Sequence, residues 1–382
     1  MARSYRAISS DSHLEISPDR WRSFVPEKYR DRAPRTIRLP NGGDAVLAEN
    51  QPLRPIWAHN AGIPWDEWGY DNVKTFDGAV GAGGPEQRLR EIDLDGVDAE
   101  ILYPGAQSGP AMANRVADDE AYHAMVSAYN EFTTEEFMGA APDRFFPAGV
   151  IPKRGVDGAI AELEHCKGLG LKVVALDAYP NGRVSPRPED DRFWAAALDL
   201  EMPVSVHTTF SELREGGRDR DNRANALNLA RRISTYGTKG GEIAATLAIH
   251  GVFDRFPRLQ VFFAENQIGW IPTYLEQMDL IWERHRHYHE RAQGLAPLSR
   301  PPSEIVKEHC LWGFMDNPSG VRQRHEIGVD HVLWSTDFPH DPCDWPNTAR
   351  TVERNFAGVP EDEKHQMMVG NAVRFFQLEA AP

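Results

Sequence analysis

The chain has 382 residues, 41% apolar and 26% charged, which excludes a disordered polypeptide and allows one large domain or two ordinary ones. Lys and Arg number 42 against 57 Asp and Glu, a net charge of −15 with no basic run, so nucleic acid and anionic lipid are excluded as electrostatic partners. The longest apolar runs, near Val173–Leu176 and Val261–Ala264, fall far short of the roughly 20 residues that span a membrane. Met1–Ser10 carries two Arg and no apolar core, so it does not read as a secretory signal. Cys166, Cys310 and Cys343 lie far apart without metal-type spacing and read as reduced thiols of a cytoplasmic protein.

The first predicted strand is Ala7–Ser10, and polar text, Asp11-Ser12-His13-Leu14-Glu15, follows it. From Ile16 to Glu86 the chain is rich in Pro, Gly and Trp (Trp57, Trp65, Trp68) and shows little periodicity. After it come strands at Ala99–Tyr103, Phe145–Ile151, Lys172–Leu176, Val204–Val206, Leu259–Phe263, Cys310–Phe314 and Val332–Trp334. Helical patterns lie between them, at Asp118–Gly139, Val156–Leu169, Asp190–Glu201 and Trp270–His289, with Pro186, Pro188, Pro203 and Pro257 as punctuation. The strands show little polar alternation, as parallel strands covered on their outer face require.

Eight such alternations predict an α/β fold, a (β/α)8 TIM-type barrel formed by residues 1–382 as one domain. Residues 16–86 are the long insertion after the first strand. A barrel places this insertion over the C-terminal face as a lid; the plainer alternative is a surface excursion packed by its own tryptophans. An open doubly wound sheet needs a glycine fingerprint after its first strand, and none is present.

The strand ends carry the chemistry. Residues two apart in extended chain face one side, so Asp11 and His13 both project into the barrel mouth. His207 ends the fifth strand; Asp337 follows the eighth, with His340 three residues on. Two imidazoles and two carboxylates on one face form a nitrogen and oxygen ligand set for Zn²⁺, Mn²⁺ or Fe²⁺. Any one of these histidines, taken alone, also has a structural reading. Glu265 follows the sixth strand; walled by aromatic residues, it becomes desolvated, its pKa rises, and it serves as proton donor or base. It also has a structural reading, as a hydrogen-bonding loop residue. Tyr103, ending the second strand, and Asp316, just beyond the seventh, are candidate substrate contacts, as are Trp65 and Trp68 of the insertion. His285, His287 and His289 share one helix but sit among charges, which reads as a solvated or subunit-contact face. Lys172 lies at the start of the fourth strand, the wrong end for a bridging carboxylated lysine, which favours one metal over two.

Several motifs resemble the amidohydrolase-related family, in the branch of aminocarboxymuconate-semialdehyde and resorcylate-type decarboxylases. They are Asp11-Ser12-His13, Val206-His207-Thr208, the run Phe256–Ala264, and Ser335-Thr336-Asp337-Phe338-Pro339-His340. The runs Ile92–Asp98, Phe193–Ala197 and Gly370–Phe376 extend the likeness over nearly the whole chain. The resemblance implies a one-metal barrel whose ligands match Asp11, His13, His207 and Asp337. Many members have His or Glu at the first of these positions, and many have a catalytic His where this chain has Glu265. The expected activity is therefore non-oxidative decarboxylation of a small aromatic or unsaturated carboxylic acid, needing one divalent metal, zinc or manganese before iron, and no organic cofactor. Glu265, Asp337 and His340 are the expected proton-handling residues. The alternatives are hydrolysis of a lactone, cyclic amide or similar carbonyl compound by a metal-activated water, and a non-catalytic binding protein on the same barrel. Expected partners are a small carboxylate substrate and further copies of the chain, as a dimer or higher homo-oligomer.

Overall fold

Eight short runs dominated by Val, Ile, Leu and Phe form parallel strands, which we label β1 to β8. They are Ile8–Leu14, Ala99–Pro104, Phe145–Val150, Val173–Leu176, Val204–His207, Val261–Ala264, Cys310–Phe314 and Val332–Trp334. They pair in chain order, each parallel to the next. The computed structural model describes residues 3–49, 53–56, 59–68, 73–114, 116–183, 185–207, 233–234 and 237–380. Trp57 lies outside the described residues.

The sheet curls until its ends meet. The seam between β8 and β1 is made just beyond β8, where Asp337 donates its N–H to the Asp11 carbonyl at 2.9 Å and His13 donates to the Phe338 carbonyl at 2.7 Å. Ser9 Oγ accepts from the Thr336 N–H at 2.9 Å on the same seam. Behind it lies Arg88, 1% exposed, from the helix Pro85–Asp95. Its guanidinium donates to both carboxylate oxygens of buried Glu100, at 2.7 and 3.0 Å, and to the carbonyls of His13 (2.9 Å) and Phe338 (3.3 Å). A buried charge needs such complete pairing.

Helices cover the outside, among them Asp119–Phe132, Val156–Gly168, Asp191–Asp199, Gly240–Ile249 and Pro302–His309. Local chemistry sets their ends. Asp118 caps the first of these by accepting from the Ala121 N–H at 3.2 Å. Gly96 ends Pro85–Asp95 at φ 76°, the left-handed conformation in which Val97 N–H reaches back to the Ile92 carbonyl. Trp21, Trp194, Trp312 and Trp334 are fully buried in one core that joins strands and helices. No helix among the described residues is long and apolar enough to cross a membrane.

The strand boundaries differ from expectation in an instructive way. Asp11 and His13 lie inside β1, not after it, and β1 carries a bulge between Ser9 and Ser12. The polar residues hid the strand's continuation, because a strand end that carries ligands does not look apolar. The insertion also holds more structure than its composition predicts. Arg35–Arg38, Asp44–Leu47 and Arg54–Pro55 form a small antiparallel sheet. Its first hairpin turns at Asn41-Gly42-Gly43, with Gly42 at φ 87° and its N–H on the Leu39 carbonyl. Strands of four residues or fewer leave little periodicity, so the Asn-Gly turn was the readable signal.

Candidate metal centre and active site

Four side chains meet at the C-terminal mouth of the barrel: Asp11 and His13 from β1, His207 from the end of β5, and Asp337 beyond β8. The His13 Nε2 lies 3.4 Å from Asp11 Oδ1 and 3.2 Å from Asp337 Oδ1. His207 Nε2 is 2.9 Å from His13 Nε2 and 3.4 Å from Asp11 Oδ1. Asp337 takes φ 57°, a left-handed backbone that costs a non-glycine residue on the order of 1 kcal/mol. The barrel seam on either side holds it there.

Both carboxylates are completely buried, and none of their four oxygens has a hydrogen-bond donor among the described residues. The tautomer of His13 explains the deficit. Its Nδ1 faces the Pro104 carbonyl at 3.1 Å, an acceptor only, so Nδ1 carries the proton and Nε2 presents a lone pair to the centre. Burial, and then the nearby His340, lower the His13 pKa and keep this ring neutral. Two carboxylates without hydrogen-bond donors and a neutral imidazole lone pair aimed at one point fit a divalent cation, and Asp11, His13, His207 and Asp337 are the residues that would hold it.

Around this centre the electrostatics are steep. Burial would lower the His207 pKa, but Asp11, with Glu265 and Asp337, holds it up to about 9. Burial would raise Asp337, yet His340 and His13 keep it well below the usual carboxylate range. Glu265 goes the other way: burial first, then the charges of Asp337 and Asp11, push it up to about 8. Glu265 follows β6 at φ 54°, and its Oε2 lies 3.7 Å from His207 Nε2, beside the cluster. The next residue, Asn266, anchors this turn by accepting from the Gly240 N–H and donating to the Ala264 carbonyl, both at 2.6 Å.

His340 stacks on His13, ring centroids 3.9 Å apart and planes 23° from parallel. Its Nδ1 is 3.3 Å from Asp337 Oδ1 and its Nε2 3.0 Å from Glu15 Oε1, and these two carboxylates hold its pKa well above the ordinary value against the opposing effect of burial. Tyr103 is wholly buried; its hydroxyl shares a 2.6 Å hydrogen bond with Ser205, and its ring lies 5.1 Å from that of His207. Trp65, 71% exposed, and Trp68 line a 320 Å³ cleft with Asn60, Cys343, Trp345 and Arg350. Asn60 donates to Asp341 Oδ1 at 2.5 Å, which ties this part of the insertion to the loop that carries His340.

Asp316 is not brought to the cluster; its carboxylate accepts from Arg354 Nη2 at 2.5 Å and Nε at 3.2 Å on the surface. His285, His287 and His289 lie on the helix Ile271–Gln293 away from the centre, His287 facing Glu290 at 3.8 Å. Sequence reasoning missed Glu15, although the period-two argument that selects residues 11 and 13 selects 15 as well. It also missed His59, whose Nε2 donates to the Glu15 carbonyl at 2.6 Å, because nothing local marks that contact.

The sequence pattern of the family described as amidohydrolase matches residues 11–378. The chain is 23% identical over 358 residues to gamma-resorcylate decarboxylase of Rhizobium sp., covering 89% of this chain and 99% of that protein. Its fold superposes with a TM-score of 0.73 on an amidohydrolase from Mycobacterium avium subsp. paratuberculosis K-10, at 18% identity and 98% coverage of both chains. It is similar also to the dihydroxybenzoic acid decarboxylase from Polaromonas sp. JS666, solved with bound manganese and the inhibitor 2-nitroresorcinol. That likeness has a TM-score of 0.63 at 19% identity and covers 99% of this chain and 98% of that one.

Proposed function

The chain belongs to the amidohydrolase family, and on that premise we propose that it is a metal-dependent carboxy-lyase that removes carbon dioxide from a small aromatic carboxylic acid. The observation that carries this reading is the pair of buried carboxylates, Asp11 and Asp337, left without hydrogen-bond donors around the lone pair of His13. The names of the relatives support the choice of reaction. Asp11, His13, His207 and Asp337 would hold a divalent cation, manganese or zinc before iron, which when bound would supply positive charge for an anionic substrate.

The residues then have separate tasks. Glu265, whose pKa burial raises, sits beside the centre and gives its proton to the ring carbon that bears the carboxylate. The electrons of the carbon–carboxylate bond return to the ring as carbon dioxide leaves, and a proton taken up from solution restores Glu265. Tyr103 walls the ligand histidines from below. Trp65 and Trp68 present aromatic faces at the rim, where the insertion limits the access of water. In this reading the enzyme works in the cytoplasm as a homo-oligomer, which light scattering on the purified protein measures directly.

The test has two arms. Metal analysis of the purified chain should return about one divalent ion per chain; a protein that refuses Mn²⁺ and Zn²⁺ would instead be a binding protein on this barrel. A panel of hydroxybenzoates assayed for carbon dioxide release, beside a panel of lactones and cyclic amides, separates lyase from hydrolase. Turnover confined to the second panel overturns the proposal.

A further inference from the structure

Glu15 has no solvent exposure, and both of its carboxylate oxygens have partners, as burying a charge demands. Its Oε1 accepts from the Ala106 N–H at 2.6 Å and faces His340 Nε2 at 3.0 Å; its Oε2 accepts from Ser108 Oγ at 3.4 Å. The other nitrogen of His340 faces Asp337 Oδ1, and the ring is clamped flat against His13. The imidazole of His340 is thus strung between two buried carboxylates, one in the metal cluster and one outside it.

We propose that Glu15 is a positioning residue that acts through His340 on the ligand carboxylate of Asp337. This inference rests on the metal-site reading above. Glu15 holds the plane of the His340 ring, and so keeps Nδ1 as the atom that addresses Asp337. Ligand carboxylates are oriented by such outer partners, whose loss weakens metal binding by roughly 10–100-fold. The dyad also joins three loops to the site: Glu15 follows β1, Ala106 and Ser108 follow β2, and His340 follows β8. Through His59, on the carbonyl of Glu15, the insertion reaches the same support.

The rival explanation is that Glu15 merely anchors the Ala106–Ser108 loop. A double-mutant cycle on Mn²⁺ binding to the full chain divides the two. His340→Asn keeps a polar side chain near Asp337 but severs the contact with Glu15. Glu15→Gln should weaken Mn²⁺ binding by on the order of tenfold in the wild-type background and have no further effect in His340→Asn. Equal weakening in both backgrounds, or none in either, overturns the proposal. A wild type that binds no Mn²⁺ sinks the metal-site reading, and the dyad is then judged on the His340 ring alone. Nitrogen-15 shifts of that ring must show a proton on Nε2 in the wild type and must move in Glu15→Gln. A ring without a proton on Nε2, or unchanged by the substitution, overturns the dyad itself.

Discussion

Asp337 donates its backbone N–H to the carbonyl of Asp11 across 2.9 Å, so the two carboxylates proposed to hold the metal belong to the residues that close the barrel. Closure and site are one event. The first strand and the segment after the last must be hydrogen-bonded for the carboxylates to face each other, and the proposed cation would offset the cost of burying both.

His207 sits at a strand end with its imidazole in the mouth, contributing to the site more than to the core. The His207→Ala variant should lose its metal and its activity together while keeping its fold. Metal content and thermal unfolding measured on one sample decide it; full occupancy in the variant removes His207 from the ligand set.

Glu265→Gln preserves shape and reach but has no transferable proton. Metal content should stay normal while turnover falls by on the order of a hundredfold or more. The limb on which the rate declines as pH rises, reporting loss of the acid form, should vanish as well. Near-normal turnover makes Glu265 structural and passes the proton to His340; lost metal makes Glu265 a ligand.

Arg88→Met leaves the Glu100 carboxylate buried without its partner and frees two carbonyls on the seam. The loss should be about 3–5 kcal/mol by denaturant unfolding. Adding Glu100→Gln removes the stranded charge and should restore part of it. A single variant as stable as the wild type would show that the seam closes without Arg88.

Asp95 accepts from the N–H and hydroxyl of Thr348 at 3.0 and 2.6 Å, yet burial outweighs these bonds and raises its pKa to about 6. A carboxyl whose folded pKa exceeds its unfolded value, about 3.9, binds more protons when folded. Its contribution therefore improves as pH falls from about 6 to 4 and is a penalty above 6. Asp95→Asn, which keeps one oxygen for the Thr348 N–H, should gain stability relative to the wild type by roughly 1–3 kcal/mol between pH 4.5 and 7.5. A stability difference independent of pH contradicts this account.

Trp65 is too exposed to hold the fold, so Trp65→Ala should leave unfolding unchanged. If its cleft receives part of the substrate, KM should rise several-fold with kcat nearly intact. Unchanged KM would place the cleft outside the substrate's path.

The sequence by itself determined the barrel and which residues gather at its mouth, because both are written in short windows. Runs of apolar residues between helical patterns specify covered parallel strands, and the parity of a strand puts residues 11 and 13 on one side. His207 and Asp337 were legible for the same reason, each ending an apolar run. The tertiary structure alone decided the rest. Glu15 and His340 meet although 325 positions apart, Arg88 reaches the seam from a helix, and Asp316 is taken up by Arg354. Those pairings depend on where closure brings distant loops, and on which buried charge lacks a partner once water is gone. No local pattern carries that information, since burial and pairing are properties of the packed chain.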